Sequence, residues 1–68
     1  MRLRYDPTVD ILYIRLREGP IEESDEITSE IIADYGKDGK LMGLEILDAS
    51  EVLGGRHMRV ELAVADGE

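Results

Sequence analysis

The sequence predicts an α+β fold that is mostly β: a small antiparallel sheet of about five short strands with one short helix after the fourth strand. Short segments in which apolar and polar residues alternate predict the strands. Turn residues such as Asp-Pro, Gly-Pro and Asp-Gly separate these segments and predict two hairpins. The first connections are too short for the crossovers that parallel strands need. Residues 1–68 show no linker or internal repeat, so we expect one domain.

The first predicted hairpin lies near the N-terminus. Leu3 and Tyr5 alternate with arginines, which is typical of a half-buried strand. Asp6-Pro7 starts a turn, because aspartate favours its first position and proline presets φ at the second. Residues 11–17 are rich in β-branched and aromatic side chains and predict the second strand. One face of this strand carries Leu12, Ile14 and Leu16.

The second predicted hairpin spans residues 30–47 around Asp38-Gly39, a dipeptide that favours a type I′ turn. In the register that this turn sets, apolar residues face each other on one side of the sheet. A four-residue loop, with Tyr35 facing Lys40, would keep the same residues on that side. A three-residue loop would instead set Ile31 against Glu45, so the need to bury one face selects the register. The predicted pairs are Tyr35 with Met42, Ala33 with Leu44, and Ile31 with Ile46.

The segment that joins the two hairpins is acidic. Residues 18–30 carry six acidic side chains and no basic one. Gly19-Pro20 ends the second strand, because proline cannot donate to a ladder. Residues 21–29 show no clear period, so we interpret them as an exposed connection.

The C-terminal third predicts one short helix and a last strand. Asp48-Ala-Ser-Glu51 resembles a capping box, and the helix would stop after one or two turns at Gly54-Gly55. Residues 56–65 alternate again and predict a C-terminal strand, whereas residues 66–68 are expected to fray. The apolar side of that strand carries Met58, Val60, Leu62 and Val64.

Five segments carry a resemblance to a known family. They are Tyr5-Asp-Pro7, Asp10–Leu16, Ile32–Tyr35, Asp38-Gly39 and Gly43–Ser50. Together they resemble the domain of unknown function 2283 (DUF2283), whose members are small stand-alone bacterial and archaeal proteins. The resemblance covers about residues 3–53 and leaves the C-terminal strand outside. It implies no established activity and no catalytic residue, and some members look like the smaller partner of a toxin–antitoxin-like gene pair, which implies protein binding.

Composition excludes several classes of function. The net charge is −8, from 8 basic and 16 acidic residues. Such a surface repels phosphate backbones, so we expect no direct nucleic-acid binding, whereas a basic protein or a cation would be attracted. Excess acid also keeps a small protein soluble without any partner. There is no cysteine, no apolar run of about 18 residues and no signal-peptide pattern, so we expect no disulfide, no membrane span and a cytoplasmic location.

Histidine, tyrosine and the acidic run give weak signals for chemistry. Residues 22–26 lack the alternating aspartates of a calcium loop, so a solvated loop or a contact for a basic partner is favoured over a cation site. His57, the only histidine, is predicted to point outward beside no nucleophile. Tyr5, Tyr13 and Tyr35 are interpreted as packing residues rather than a stacking platform, since no basic groove surrounds them.

Three aspartates raise the hypothesis of a carboxylate pair for hydrolysis or metal binding. Asp6 and Asp10 stand where turns favour aspartate, which explains them structurally. Asp34 is predicted opposite Gly43, on the face away from the core. Structural roles are favoured for all three, and we predict no catalytic, cofactor-binding or metal-binding residue.

The predicted function is that of a non-enzymatic interaction protein. A chain of 68 residues gains stability from a partner subunit. The face of the predicted sheet that points away from the core is not purely polar, so we expect a homodimer through that face. The acidic connection would bind a basic protein, with an antitoxin-like role as a special case. The alternative is a small metal-binding or hydrolytic domain that uses clustered carboxylates. The expected dimer residues are Ile11, Tyr13, Ile32, Leu41 and Leu47.

Overall fold

The computed structural model describes residues 1–55 and 57–66 and contains one antiparallel sheet followed by a short helix. The chain forms, in order, β1 (Arg2–Asp6), β2 (Ile11–Arg15), β3 (Glu23–Glu26), β4 (Ile31–Tyr35), β5 (Leu41–Leu47) and α1 (Ala49–Val52). The order across the sheet is β1-β2-β5-β4-β3, and every neighbouring pair is antiparallel. The predicted fold class is therefore confirmed.

The acidic connection, predicted to be an exposed loop, contains a strand. All four residues of β3 are exposed, and they pair with β4 from Glu23 opposite Tyr35 to Glu26 opposite Ile32. Because these side chains are uniformly polar, they show no alternation that could reveal the strand. The pairing with β4, rather than burial of side chains, makes this segment a strand.

The predicted C-terminal strand is wrong over its described part. Residues 57–65 contain no strand, and most of their side chains are exposed. Alternation shows that a segment could cover an apolar surface, but it does not supply the neighbouring strand that a ladder needs. Arg56, at the start of the predicted strand, and residues 67–68, in the predicted frayed end, lie outside the described residues. Because β3 adds a strand before β4, α1 follows the fifth strand rather than the fourth.

The turn between β4 and β5 differs from the predicted type I′. The Gly36 N–H donates to the carbonyl oxygen of Lys40 (2.9 Å), and the Gly39 N–H donates to the carbonyl oxygen of Gly36 (3.0 Å). These bonds enclose a three-residue loop, and Gly39 has the left-handed φ of 79° that such a loop needs at its last position. A loop of three residues would by itself shift the pairing by one residue.

A β-bulge beside the turn corrects this shift. Tyr35 lies opposite Leu41 instead of Met42, so Met42 is the extra residue on β5. The Met42 carbonyl oxygen accepts hydrogen bonds from the N–H groups of Leu16 (2.8 Å) and Arg17 (3.3 Å). Beyond the bulge the predicted register is confirmed. The confirmed pairs are Ile31 with Ile46, Ala33 with Leu44, and Asp34 with Gly43.

Eight apolar side chains share one side of the sheet, which we call the first face. They form two rows that each cross β1, β2, β5 and β4. One row is Leu3, Ile14, Leu44 and Ala33, and the other is Tyr5, Leu12, Ile46 and Ile31. The opposite side, the second face, carries most of the charged residues of these strands.

The first face is incompletely covered. Leu12 and Ala33, near its centre, are buried, with 8% and 0% of their surface exposed. Leu3 and Tyr5, on the outer strand β1, are 41% and 38% exposed. A sheet normally buries its apolar face against a second layer. Here α1 is one turn long and packs against β5, so it supplies little of that layer.

The helix is capped by Asp10 rather than by the predicted capping box. Asp48 is left-handed (φ 50°) and makes no side-chain cap hydrogen bond. Instead, the Ala49 N–H donates to the Asp10 carbonyl oxygen, and the Ser50 N–H and hydroxyl donate to the Asp10 carboxylate at 3.0 and 2.7 Å. The Tyr5 hydroxyl donates to the same carboxylate at 2.6 Å. Asp10 therefore joins β1, the first hairpin and α1.

These hydrogen bonds make stability depend on the ionisation of Asp10. The Tyr5 hydroxyl, followed by Ser50, lowers the pKa of Asp10 below its ordinary value of 3.8. A lowered pKa in the folded state adds stability above the ordinary value, and this stability is lost as pH falls through the lowered pKa. Asparagine tolerates the positive φ of this position (55°), so Asp10→Asn changes the charge without straining the backbone.

We expect Asp10→Asn to lower Tm at pH 7, because the amide group puts a donor where three donors converge. As pH falls below 3.8 and through the lowered pKa, the difference from the wild type should shrink, because the folded wild-type carboxyl then becomes protonated as well. Thermal unfolding by circular dichroism between pH 2.5 and 7 checks both points (roughly the range in which aspartate titrates). Asp48→Asn is the control, and an equal loss of Tm in that variant contradicts the prediction.

Candidate functional site

The second face contains a cavity of about 270 Å³. Gly43 lies in it and has no room for a side chain, because an added Cβ would be 2.7 Å from the Ile14 carbonyl oxygen. This glycine therefore lets β2 and β5 approach closely and keeps the cavity open above them. The polar side chains that line the cavity are Arg2, Arg4, Tyr13, Arg15, Asp34 and Glu45.

Two carboxyl groups meet in this cavity. Asp34 is 8% exposed and accepts a hydrogen bond from the Ser24 hydroxyl at 2.6 Å. Burial raises the pKa of Glu45, and hydrogen bonding to Asp34 and the charge of Asp34 raise it further. Glu45 thus holds its proton to a higher pH than an exposed glutamate does.

Asp34 was a candidate from the sequence alone, whereas Glu45 was not. The signal was present in the register, because Asp34 lies opposite Gly43 and Glu45 follows two residues later on the same face. Asp6 and Asp10, the other aspartates of the carboxylate hypothesis, do not join this pair. Asp6 accepts the Thr8 N–H in the first turn, and Asp10 caps α1.

Three arginines on β1 and β2 contribute to the cavity wall. The Arg4 guanidinium lies over the Tyr13 ring at 4.6 Å from its centroid, a cation–π contact worth about 0.5–1 kcal/mol at exposed sites. Arg15 donates to the Gly19 carbonyl oxygen (3.3 Å), and Arg2 forms an exposed ion pair with Glu18. Within the described ranges, no ion pair joins an arginine of the cavity to its two carboxyl groups.

The remaining residues of the sequence hypotheses do not assemble into a reactive site. His57 is exposed, outside the sheet, and Tyr5 lies on the first face, where it bonds to Asp10. In the part of the chain that the structure describes, no three His, Asp or Glu side chains are placed to share a metal ion. Nor do those residues include a helix long and apolar enough to cross a membrane.

The acidic run lies at one border of the sheet. β3 pairs with β4 on its inner side, and the Glu22 N–H extends this pairing by donating to the Tyr35 carbonyl oxygen at 2.8 Å. Glu23, Asp25 and Glu26 are exposed and, among the described residues, form no ion pair. The opposite border, β1, is basic through its arginines, so the two edges of the sheet differ in charge.

The residues expected to form the homodimer lie among charged groups. Tyr13 is flanked across the strands by Arg4 and Glu45, and Ile32 also lies opposite Glu45. Leu41 lies opposite Tyr35 because of the bulge, so it no longer continues the second face. The second face is therefore an interrupted apolar surface, whereas the first face is a continuous one.

The close approach of β2 and β5 at Gly43 leads to a prediction about stability. We expect Gly43→Ala to lower the free energy of unfolding by about 1–3 kcal/mol, because the new methyl group meets backbone that cannot move aside. Gly36→Ala is the matched control, since its methyl group would meet the flexible Met42 side chain at 3.1 Å. Urea unfolding of both variants checks the order, and an equal or larger loss for Gly36→Ala contradicts it.

The pair of Asp34 and Glu45 leads to a prediction about the pH dependence of stability, with the opposite sign to that for Asp10. Because the folded-state pKa of Glu45 is raised, its contribution to stability is fully present below the ordinary value of 4.5 and is lost as pH rises through the raised value. Glu45→Gln removes the repulsion from Asp34, so we expect Tm to rise by a few degrees at pH 7 and to change little below pH 4.5. Glu51→Gln, at an exposed position of α1, is the control for thermal unfolding at the two pH values. A lower Tm for Glu45→Gln at pH 7 would mean that the pair is stabilising.

Comparison with known proteins identifies the family of this chain. The model of a protein family of unknown function, DUF2283, matches residues 2–50, which contain the whole sheet and the start of α1. A search of curated proteins found no match, and a search of solved structures found none. The match covers most of the chain, and the protein belongs to the DUF2283 family.

Proposed function

We propose that this protein is a small, non-enzymatic interaction module of the cytoplasm that binds an extended, basic segment of another protein along β3. The observation that supports this proposal is that the acidic residues form the outer strand of the sheet rather than a loop. An antitoxin-like role is the special case in which the partner is a basic toxin.

The backbone of β3 supplies the first part of the recognition. In the described ranges, β3 pairs with β4 and with no other strand. An outer strand leaves a row of N–H and C=O groups that can pair with an added strand, which is the basis of β-augmentation. Pairing over four residues holds a bound segment in the extended conformation of a strand but selects no particular sequence.

The side chains of β3 supply the selectivity. Glu23 and Asp25 lie on one side of the sheet and Glu26 on the other, so an added strand meets carboxylates on both sides. Opposite charges across two strands contribute about 0.2–1 kcal/mol per pair, and like charges are destabilising. The edge therefore favours a lysine- or arginine-rich strand and disfavours the β3 edge of a second copy.

A second copy could in principle offer its basic edge, β1, which carries Arg2 and Arg4. The apolar residues of β1 would then lie beside Glu23 and Asp25 on the first face, and these carboxylates would lose water without gaining a cation there. Such a contact would also be head-to-tail and would grow into an open chain. A different protein is therefore the better partner for this edge.

The alternative function, a small metal-binding or hydrolytic domain, is supported by one observation. Glu45, with its raised pKa, lies beside Asp34 in a cavity, and a carboxyl group with a raised pKa can act as a general acid. Two carboxyl groups are fewer oxygen ligands than a hard cation takes. Stoichiometric metal in the purified wild type, lost in Asp34→Asn, would favour this alternative.

The edge proposal predicts salt-dependent binding of basic strands. The probe is a synthetic peptide of alternating lysine and valine, titrated by calorimetry at low and high salt. A triple variant, Glu23→Gln, Asp25→Asn and Glu26→Gln, should weaken binding at least about tenfold at low salt. The lysines, which share one side of the bound strand, then lose the charge pairs with Glu23 and Asp25, and the attraction of nearby Glu26 is lost as well. The control variant neutralises three exposed acidic residues outside β3, so it has the same net charge as the edge variant. Its substitutions are Asp48→Asn, Glu51→Gln and Glu61→Gln.

The control triple variant should bind the peptide as the wild type does. Equal weakening in both triple variants would mean that overall charge, not the β3 edge, attracts the peptide. In the native host, a basic protein should co-purify in stoichiometric amount with the wild type and the control, but not with the edge variant. Recovery of the same protein with all three chains contradicts the assignment of β3.

A further inference from the structure

We infer that the first face is the interface of a homodimer, in which two copies pack face to face as a two-layer sandwich. This places self-association on the side of the sheet opposite to the one that sequence patterning indicated. It is independent of the β3 edge, which stays free.

The chemistry of the first face fits a copy of itself. Its eight side chains form two rows across four strands without a charged residue among them. No large side chain in the described ranges is fully buried, although this face holds most of the apolar residues of the sheet. A small domain whose main apolar face lacks a second layer gains that layer from a partner subunit.

The exposed area is large enough for a dimer. The chain exposes 5468 Å², whereas a folded monomer of 7.6 kDa typically exposes about 4,300 Å². A standard interface takes about 800 Å² from each partner. Exposed side chains of residues 57–66 and of the first face, such as Leu62 and Leu3, both contribute to the exposed area.

The chain itself offers little else that could cover the face. α1 is one turn long and exposes Val52 and Leu53, at 42% and 43%. The apolar side chains of the C-terminal segment point into solvent, as Leu62 and Val64 show at 80% and 90% exposure. An unrelated partner of definite charge would find nothing to pair with on a face without charges.

Charge at the border sets the alignment of the two copies. β3 carries Glu23 and Asp25 on the first-face side, and these carboxylates must keep their water. A two-fold axis parallel to the strands, placed between β2 and β5, puts β1 over β4 of the second copy. The four apolar strands then overlap, and β3 extends beyond the interface at both ends.

The test is the mass of the full chain in solution, measured by light scattering and sedimentation from 1 to 100 μM (roughly the affinity range of weak and moderate dimers). We expect the wild type to have twice its 7.6 kDa mass. Leu3→Glu, on the first face but 41% exposed, should weaken the dimer at least about tenfold, because it buries an unpaired charge. A wild type that stays monomeric at 100 μM overturns the inference.

Three variants test whether another surface forms the dimer. Arg4→Glu changes the next residue of β1, on the second face, and Ile21→Glu introduces the same charge beside the cavity of the second face, at a position 36% exposed. Leu62→Glu tests the C-terminal segment. All three should remain dimeric, and a dimer lost in Arg4→Glu or Leu62→Glu but kept in Leu3→Glu overturns the inference.

A measurement on the unmodified chain covers the case in which Leu3→Glu fails to fold. In a mixture of labelled and unlabelled copies, isotope-filtered NOEs should connect the methyl groups of Leu12 and Leu44 with the second copy. Intermolecular NOEs confined to Ile11, Ile32 and Leu47 would instead place the interface on the second face.

Discussion

The alignment of β4 with β5 is the constraint on which the rest of the structure depends. β5 lies at the centre of the sheet, and both apolar rows cross it between β2 and β4. Because side chains alternate along a strand, a slip of one residue would send Ile31 and Ala33 to the opposite side. The three-residue loop at Gly39 imposes such a slip, and the bulge at Met42 reverses it. The turn and the bulge therefore act together to keep the apolar residues of the first face on one side of the sheet.

The same constraint explains which parts of the fold the sequence predicts. Strands β1, β2, β4 and β5 contribute to an apolar face, so alternation reveals them, and the register follows from matching apolar partners such as Ile31 and Ile46. β3 buries nothing and depends on backbone pairing, which leaves no pattern in its side chains. The residues around 57–65 show the converse, because they have the pattern of a strand but no strand beside them.

The polar residues were less predictable, because their roles depend on tertiary contacts. Asp10 suits a turn, but its function as the cap of α1 joins it to Ser50, forty residues away. Asp34 was identified as a candidate, yet the property that distinguishes it is the raised pKa of its neighbour, Glu45. Such a shift follows from burial and from the distance between two side chains, and spacing along the chain determines neither.

The surface is organised so that two kinds of contact do not interfere. The first face is apolar and uncharged, while the acids of β3 lie at its border and the arginines of β1 point to the other side. Charge contacts weaken as salt screens them, whereas burial of apolar area does not. In addition, each copy carries a net charge of −8, so salt reduces the repulsion between two copies. Ionic strength should therefore act in opposite directions on the edge and on the face, and this separates a basic partner at β3 from a second copy on the first face.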